Sequence, residues 1–171
     1  TKKSYSELLE ASVMASETNP YDPMEIALIN KAESEGIDVA MLQNRNLVYE
    51  YPFSSEARMM GHIWNVEGKN VLAAKGSPEN IFKLCGLTET EKLEAEAEQN
   101  RLSDTGCRVL AVAVNNSLEN IPAEITGCSL ELVGLAAFID PPREAVPAAV
   151  AACHSAGVRI SIVTGANSIT A

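Results

Sequence analysis

Few residues in this chain are of the kinds that do covalent or metal chemistry, and their spacing is informative. Cysteines stand at 85, 107, 128 and 153, more than twenty residues apart and with no C-x-x-C pair. That is neither a zinc pattern nor a disulfide framework. Their neighbours are mostly apolar, so reduced, buried or half-buried thiols are expected. His62 and His154 lie far apart without a paired motif, and no His-based metal or catalytic site is expected. What remains is a handful of charged and aromatic residues at the ends of elements. Glu25 falls in the first turn of a predicted helix. Phe53 follows Pro52, Lys75 precedes Gly76, and Arg108 opens an apolar run. Each has a structural reading of its own. Glu25 at the third helix position can reach back to the Asp22 N–H. Phe53 reads as a core-facing strand aromatic, and Lys75 as a strand-end lysine with a solvated amine. Gly76 reads as a close-approach or turn glycine, and Arg108 as a surface arginine paired with a glutamate.

The elements that must position these residues follow from periodicity and caps. Ser4 and Glu7 have capping-box spacing before a helix over about 5–17. Asn19 to Pro23 is a turn. Asp22 caps a second helix with Pro23 at its first position, an apolar stripe of Ile26, Leu28, Ile29 and Ala32, and Gly36 at its end. Leu47, Tyr49, Tyr51 and Phe53 alternate along a strand and are expected on one face. Residues 59–66 and 70–75 flank Glu67-Gly68-Lys69 as a hairpin. Ser77-Pro78-Glu79 starts a short helix closed by Gly86, and Thr88 with Glu91 opens a charged one to about Asp104. Strands are expected over 108–114 and 129–139. After Asp140-Pro141-Pro142-Arg143, a stiff joint, come a helix over about 144–156 and an apolar strand over 158–163. The expected fold is α/β (α+β): a mixed, mainly antiparallel sheet with flanking helices in residues 1–139, then a truncated α/β piece in 140–171.

Composition limits the function classes. The chain has 171 residues, 46% hydrophobic and 21% charged, enough apolar side chain for a core. Its formal net charge is −10, which argues against non-specific binding to nucleic acid or anionic lipid. A small phosphate ligand stays open, because a few cations and backbone N–H groups can hold one. The longest apolar run, Leu132 to Ile139, falls well short of the roughly twenty residues a membrane helix needs. Starting at Thr1 with no signal-peptide pattern, the sequence reads as a piece of something longer.

Six segments, in order and covering most of the chain, resemble the cytoplasmic part of P-type cation-transporting ATPases, most closely the calcium-pump-like branch. They are Asp22-Pro23-Met24-Glu25-Ile26-Ala27-Leu28; Tyr51-Pro52-Phe53-Ser54-Ser55-Glu56; Ala74-Lys75-Gly76-Ser77-Pro78-Glu79; Thr105-Gly106-Cys107-Arg108-Val109-Leu110-Ala111; Asp140-Pro141-Pro142-Arg143; and Ala156-Gly157-Val158-Arg159 leading to Thr164-Gly165. The resemblance implies a nucleotide-binding domain over 1–139. Residues 140–171 would be the hinge and the start of the second half of the phosphorylation domain, which is dehalogenase-like.

The resemblance also implies roles. Phe53 would stack on the adenine of ATP, Lys75 and Gly76 would form the base of the adenine pocket, and Glu25 would face the ring. Arg108 would reach the phosphates. Asp140 and Arg143 would be hinge residues near the nucleotide, and Thr164 and Gly165 the start of a phosphorylation-domain loop. Magnesium would accompany ATP in the intact enzyme, a cytoplasmic domain of an integral membrane pump whose other partners are its remaining phosphorylation, actuator and transmembrane parts. Two positions depart from the family pattern: Ala166 stands where Asp is usual, and Ser55 where a basic residue is common, Arg58 being the next cation. The sequence contains no Asp-Lys-Thr-Gly and no Gly-Asp-Gly-x-Asn-Asp, so this chain alone cannot form the phosphoenzyme and is not expected to hydrolyse ATP. The rival readings are a fragment of a dehalogenase-like phosphatase, disfavoured by the missing nucleophile motif, and a non-catalytic acidic interaction domain.

Overall fold

Side-chain caps set the helix starts. In the computed structural model, which describes residues 4–139 and 144–161, α1 (Tyr5–Met14) begins at a capping box in which Ser4 and Glu7 satisfy each other's backbone N–H groups. It ends three residues short of the expected Glu17. Asp22 accepts from the N–H groups of Met24 and Glu25 to start α2 (Pro23–Ser34). Of its expected stripe, Leu28 and Ala32 are buried, whereas Ile26 is exposed. A short α3 (Val39–Gln43), capped by Asp38, is not anticipated from periodicity. It is too brief to show one.

Five strands follow: β1 (Asn46–Ser54), β2 (Met59–Val66), β3 (Lys69–Gly76), β4 (Arg108–Asn115) and β5 (Glu131–Phe138). They pair in sequence order and every pairing is antiparallel. The β2–β3 hairpin closes through Glu67 and Gly68 at φ 52° and 82°, the positive-φ pair of a two-residue turn whose twist matches the strands. Between β3 and β4 lie α4 (Pro78–Leu84) and α5 (Glu89–Asp104), the latter opened by the Thr88–Glu91 capping box. A 3₁₀ turn at Ile125–Gly127 precedes β5, and α6 (Val146–Ser155) follows it.

Alternation along the inner strands sorts the core into two layers. On one face Trp64, Ala73, Val112 and Val114 pack with Leu9, Val13 and Met14 of α1 and Leu42 of α3. On the other, Ile63, Leu72, Ala74, Ala111 and Ala113 pack with Ile81 and Phe82 of α4 and Ile125. The sequence reading of β1 is corrected here. Register shifts lie between Leu47 and Tyr49 and between Tyr51 and Ser54. Each extra residue rotates the strand by one position. Leu47 therefore pairs with Trp64 on the first face, while Tyr49 and Tyr51 sit opposite Ile63 and Gly61 on the second. Only Tyr51 is buried, with its hydroxyl donating to the Pro122 carbonyl at 2.7 Å.

The tail differs from expectation as well. No residue of α6 is buried. Of the strand expected over 158–163, residues 158–161 are described and form none. Asp140, Arg143, Thr164 and Gly165 lie outside the described residues.

Candidate functional site

The site is built around a lysine in the middle of the sheet. Lys75 lies on the central strand, paired with Met60 on one side and Val112 on the other. The solvated strand-end amine expected for it does not occur: the residue is 4% exposed. Its ammonium donates to the Ala15 carbonyl at 2.9 Å, to the Ser16 hydroxyl at 2.7 Å and to the Glu25 carboxylate. Three donors meet three acceptors, which is the condition for burying such a group. The position also suits both helix ends. The cation meets the carbonyl end of α1, and the anion sits in the first turn of α2. Burial pushes the Lys75 pKa below its ordinary 10.5, while Glu25 opposes the shift.

Glu25 does not fold back on Asp22. Its Oε1 accepts from the Glu17 N–H at 3.3 Å as well as pairing with Lys75. Among the described residues Oε2 makes no hydrogen bond, so one acceptor of a buried carboxylate stays available. The expected capping role is thus replaced by a tie between two helices and the sheet.

Phe53 is 63% exposed, so the core-facing reading fails. The bulge after Tyr51 is the reason: the extra residue turns Phe53 away from Tyr51 and toward the face of Met60 and Lys75. A tight turn holds it there. The Ser54 hydroxyl accepts from the N–H groups of Glu56 and Ala57, and Arg58 adopts φ 51°. Gly76 sits beneath this turn. A Cβ at that position would lie 2.4 Å from the Met59 Cβ and 2.5 Å from the Arg58 carbonyl oxygen. The glycine is therefore required by close approach of the protein's own backbone.

These residues line one cavity of about 760 Å³, whose wall includes Glu25, Phe53, Ser55, Lys75, Gly76 and Arg108. Six residues drawn from four stretches of sequence are thus brought together. The wall also contains residues to which no ligand role was assigned: Tyr21, and Leu28, Ser77 and Val109 from within the family segments. Met60, expected only as a packing residue, is buried and also faces the cavity. Arg58 and Arg108 are exposed at its mouth. Among the described residues no ion pair or side-chain hydrogen bond engages either guanidinium, so the glutamate partner expected for Arg108 is not found. In volume and lining the cavity has the features that small-molecule sites share: apolar surface, a few convergent polar groups, and cations at the entrance.

The thiols are as expected. All four are free, Cys128 being buried and the others half-buried. Burial pushes the Cys85 thiol up to about 12, which leaves it unreactive near neutrality. No cysteine joins a metal-ligating cluster among the described residues. One cluster of another kind does form: His62 lies beside Glu17 and Glu50, a grouping invisible in sequence because its members come from a loop and two strands.

A five-stranded antiparallel sheet with helices on both faces and a cavity beside its central lysine defines an α+β domain with a candidate site. Comparison with known proteins gives the family. Residues 10–145 match the family model described as P-type ATPase, cytoplasmic domain N, and the chain belongs to that family. Over 88% of its length it is 34% identical to the sodium/potassium exporting P-type ATPase cta3 of Schizosaccharomyces pombe. It is 33% identical to calcium-transporting ATPase 1 of Lactococcus lactis and 33% to the sodium/potassium-transporting ATPase subunit alpha of Drosophila melanogaster. The chain spans only 16%, 19% and 17% of the length of these three relatives. Among the described residues no helix is long and apolar enough to cross a membrane.

Proposed function

We propose that residues 1–139 form the nucleotide-binding domain of a P-type cation-transporting ATPase and bind ATP in the cavity beside Lys75. Residues 140–171 would supply the hinge and the start of the phosphorylation domain. The observation that carries the reading is Phe53. A large aromatic held 63% exposed over a cavity loses the burial that normally stabilises it, and a purine face restores that burial. The free Oε2 of Glu25 is an acceptor for an exocyclic amine. Lys75 acts as a fixed charge rather than as a donor, because its three N–H bonds are already used. Arg58, Arg108 and Ser55 at the mouth suit the phosphates, with the arginines offering planar forks.

In the intact pump, the domain would present the γ-phosphate to an aspartate outside this chain, and the parent would couple ATP hydrolysis to cation movement across a membrane. Magnesium would arrive with the triphosphate and neutralise its charge; we assign it no ligand here. Asp140, Arg143, Thr164 and Gly165 would meet the nucleotide when the two domains close. Calcium is the cation the sequence resemblance favours. Relatives named for sodium and potassium match equally well.

Isothermal titration of ATP into the chain, wild type beside Phe53→Ala, tests the assignment. Loss of one base–aromatic stack is expected to weaken binding by about 1–3 kcal/mol with the melting temperature unchanged. Equal affinity in the two proteins, or no ATP binding by wild type, would defeat it. Chemical-shift changes at Phe53, Lys75 and Glu25 on adding ATP would likewise exclude a purely acidic interaction domain.

A further inference from the structure

His62 is buried to 1% exposure, and neither ring nitrogen has a hydrogen-bond partner among the described residues. A neutral imidazole has one donor and one acceptor, and each left unmade in the interior costs about 1–3 kcal/mol. Packing accounts for part of the position: the ring stands edge-on to Trp64, 6.0 Å between centroids. It does not account for the nitrogens. The Met14 carbonyl faces this ring, but it already accepts the Trp64 indole N–H at 2.7 Å and lies outside hydrogen-bond geometry for His62.

Two carboxylates do face the ring. Glu50 is the direct cross-strand partner of His62 in the β1–β2 ladder, and Glu17 follows the end of α1. One ligand atom of each residue lies within 4.8 Å of the other two. No hydrogen bond or ion pair ties down either carboxylate among the described residues. Lys75, whose charge acts on His62, is committed to Glu25. The cluster thus combines an orphaned buried nitrogen with two uncommitted carboxylates in a chain of formal net charge −10.

We propose that Glu17, Glu50 and His62 form a binding site for a divalent transition-metal ion of the zinc type. The donor set decides the class. An imidazole nitrogen with two carboxylate oxygens suits zinc or cobalt, whereas magnesium and calcium prefer oxygen alone. Metal–ligand distances of about 2.0–2.2 Å place tetrahedral donors about 3.4 Å apart. Closing from the present spacing, within 4.8 Å, asks for at most about 1.4 Å of movement between donors, which an exposed Glu50 and a half-exposed Glu17 supply by rotation. Three protein ligands leave a fourth position to water. Glu17 also belongs to the cavity wall, so the ion and the cavity's occupant share one side chain. The proposal does not rest on ATP binding in that cavity.

The test is titration of the full 171-residue chain with zinc chloride by calorimetry and with cobalt chloride by absorption, using wild type, His62→Gln and Glu50→Gln. Binding of one ion is expected, with d–d bands of nitrogen and oxygen ligation and no thiolate-to-cobalt charge-transfer band. Each substitution should weaken binding at least about tenfold. Glu50 is exposed, so Glu50→Gln keeps the fold and decides the matter even if His62→Gln does not fold. Absence of binding, unchanged affinity in Glu50→Gln, or a thiolate band showing that the cysteines hold the ion would overturn the proposal.

Discussion

The two faces of one sheet are built on different terms. The face covered by α4 and α5 is mostly apolar: Ile63, Leu72, Ala74, Ile81 and Phe82, with the Tyr51 hydroxyl bonded to a backbone carbonyl and Ser103 of α5 the one buried polar side chain of that helix. The face covered by α1, α2 and α3 shares the same strands but buries Ser12, Ser16, Glu25, His62 and Lys75, and it opens into the cavity. Neighbouring residues of β3 supply both characters, Ala74 to one face and Lys75 to the other. The lesson is that one face of the sheet stabilises the scaffold, and the other carries costly polar groups that hold a site open. Buried charge adds little net stability even when well paired, whereas apolar packing does.

The sharpest way to break this contrast is at the ion pair. Lys75→Met leaves Glu25 buried without its cation and is expected to cost about 3–5 kcal/mol in urea unfolding. Adding Glu25→Leu should restore much of that loss, because two apolar side chains replace a desolvated pair, but it should not restore ATP binding. Full recovery of binding in the double variant would show that the pair serves packing alone.

Next in size is the apolar face. Ile81→Ala removes a fully buried side chain and should cost about 2–5 kcal/mol. ATP affinity, measured well below the unfolding transition, should stay within about twofold of wild type, since distant sites act independently. A large affinity change would mean that the two faces are coupled through the sheet. Phe53→Ala is the converse, with almost no effect on stability and a clear one on binding.

The smallest effect is a difference in slope at alkaline pH. Lys75 has its pKa lowered from 10.5 by burial. Just below that pH the unfolded chain holds the proton more firmly than the native one, so this group makes stability rise with pH. Tyr51 has its pKa raised from 10.0 by burial on the other face. Above that pH the native chain holds the proton more firmly, so this group makes stability fall with pH. Urea midpoints taken across this range should therefore shift in opposite directions: Tyr51→Phe flattens the fall and Lys75→Met flattens the rise. Parallel profiles in both variants would remove the distinction between the faces.

Much of the frame was legible without coordinates. Ser4–Glu7, Asp22 with Pro23, and Thr88–Glu91 mark helix starts because capping joins residues two or three apart. Glu67-Gly68 marks a hairpin because only certain residues accept its backbone angles. The site residues drawn from the family segments include six that line the cavity: Glu25, Phe53, Ser55, Lys75, Gly76 and Arg108.

Local pattern failed at the positions the candidate site uses. By alternation Phe53 belongs with Tyr51; a bulge, formed where a neighbouring strand sets the register, sends it to the opposite face. Lys75 looks like a solvated strand end, yet its acceptors lie 50 to 60 residues earlier in the chain. His62 shows no ligand spacing, because Glu17 and Glu50 reach it from other elements. The sequence by itself determined the caps, the turns and the order of elements, all of which depend on contacts between near neighbours. Only the tertiary structure decided which polar groups were buried, what satisfied them and where the cavity opened, because each of those depends on partners brought from distant parts of the chain.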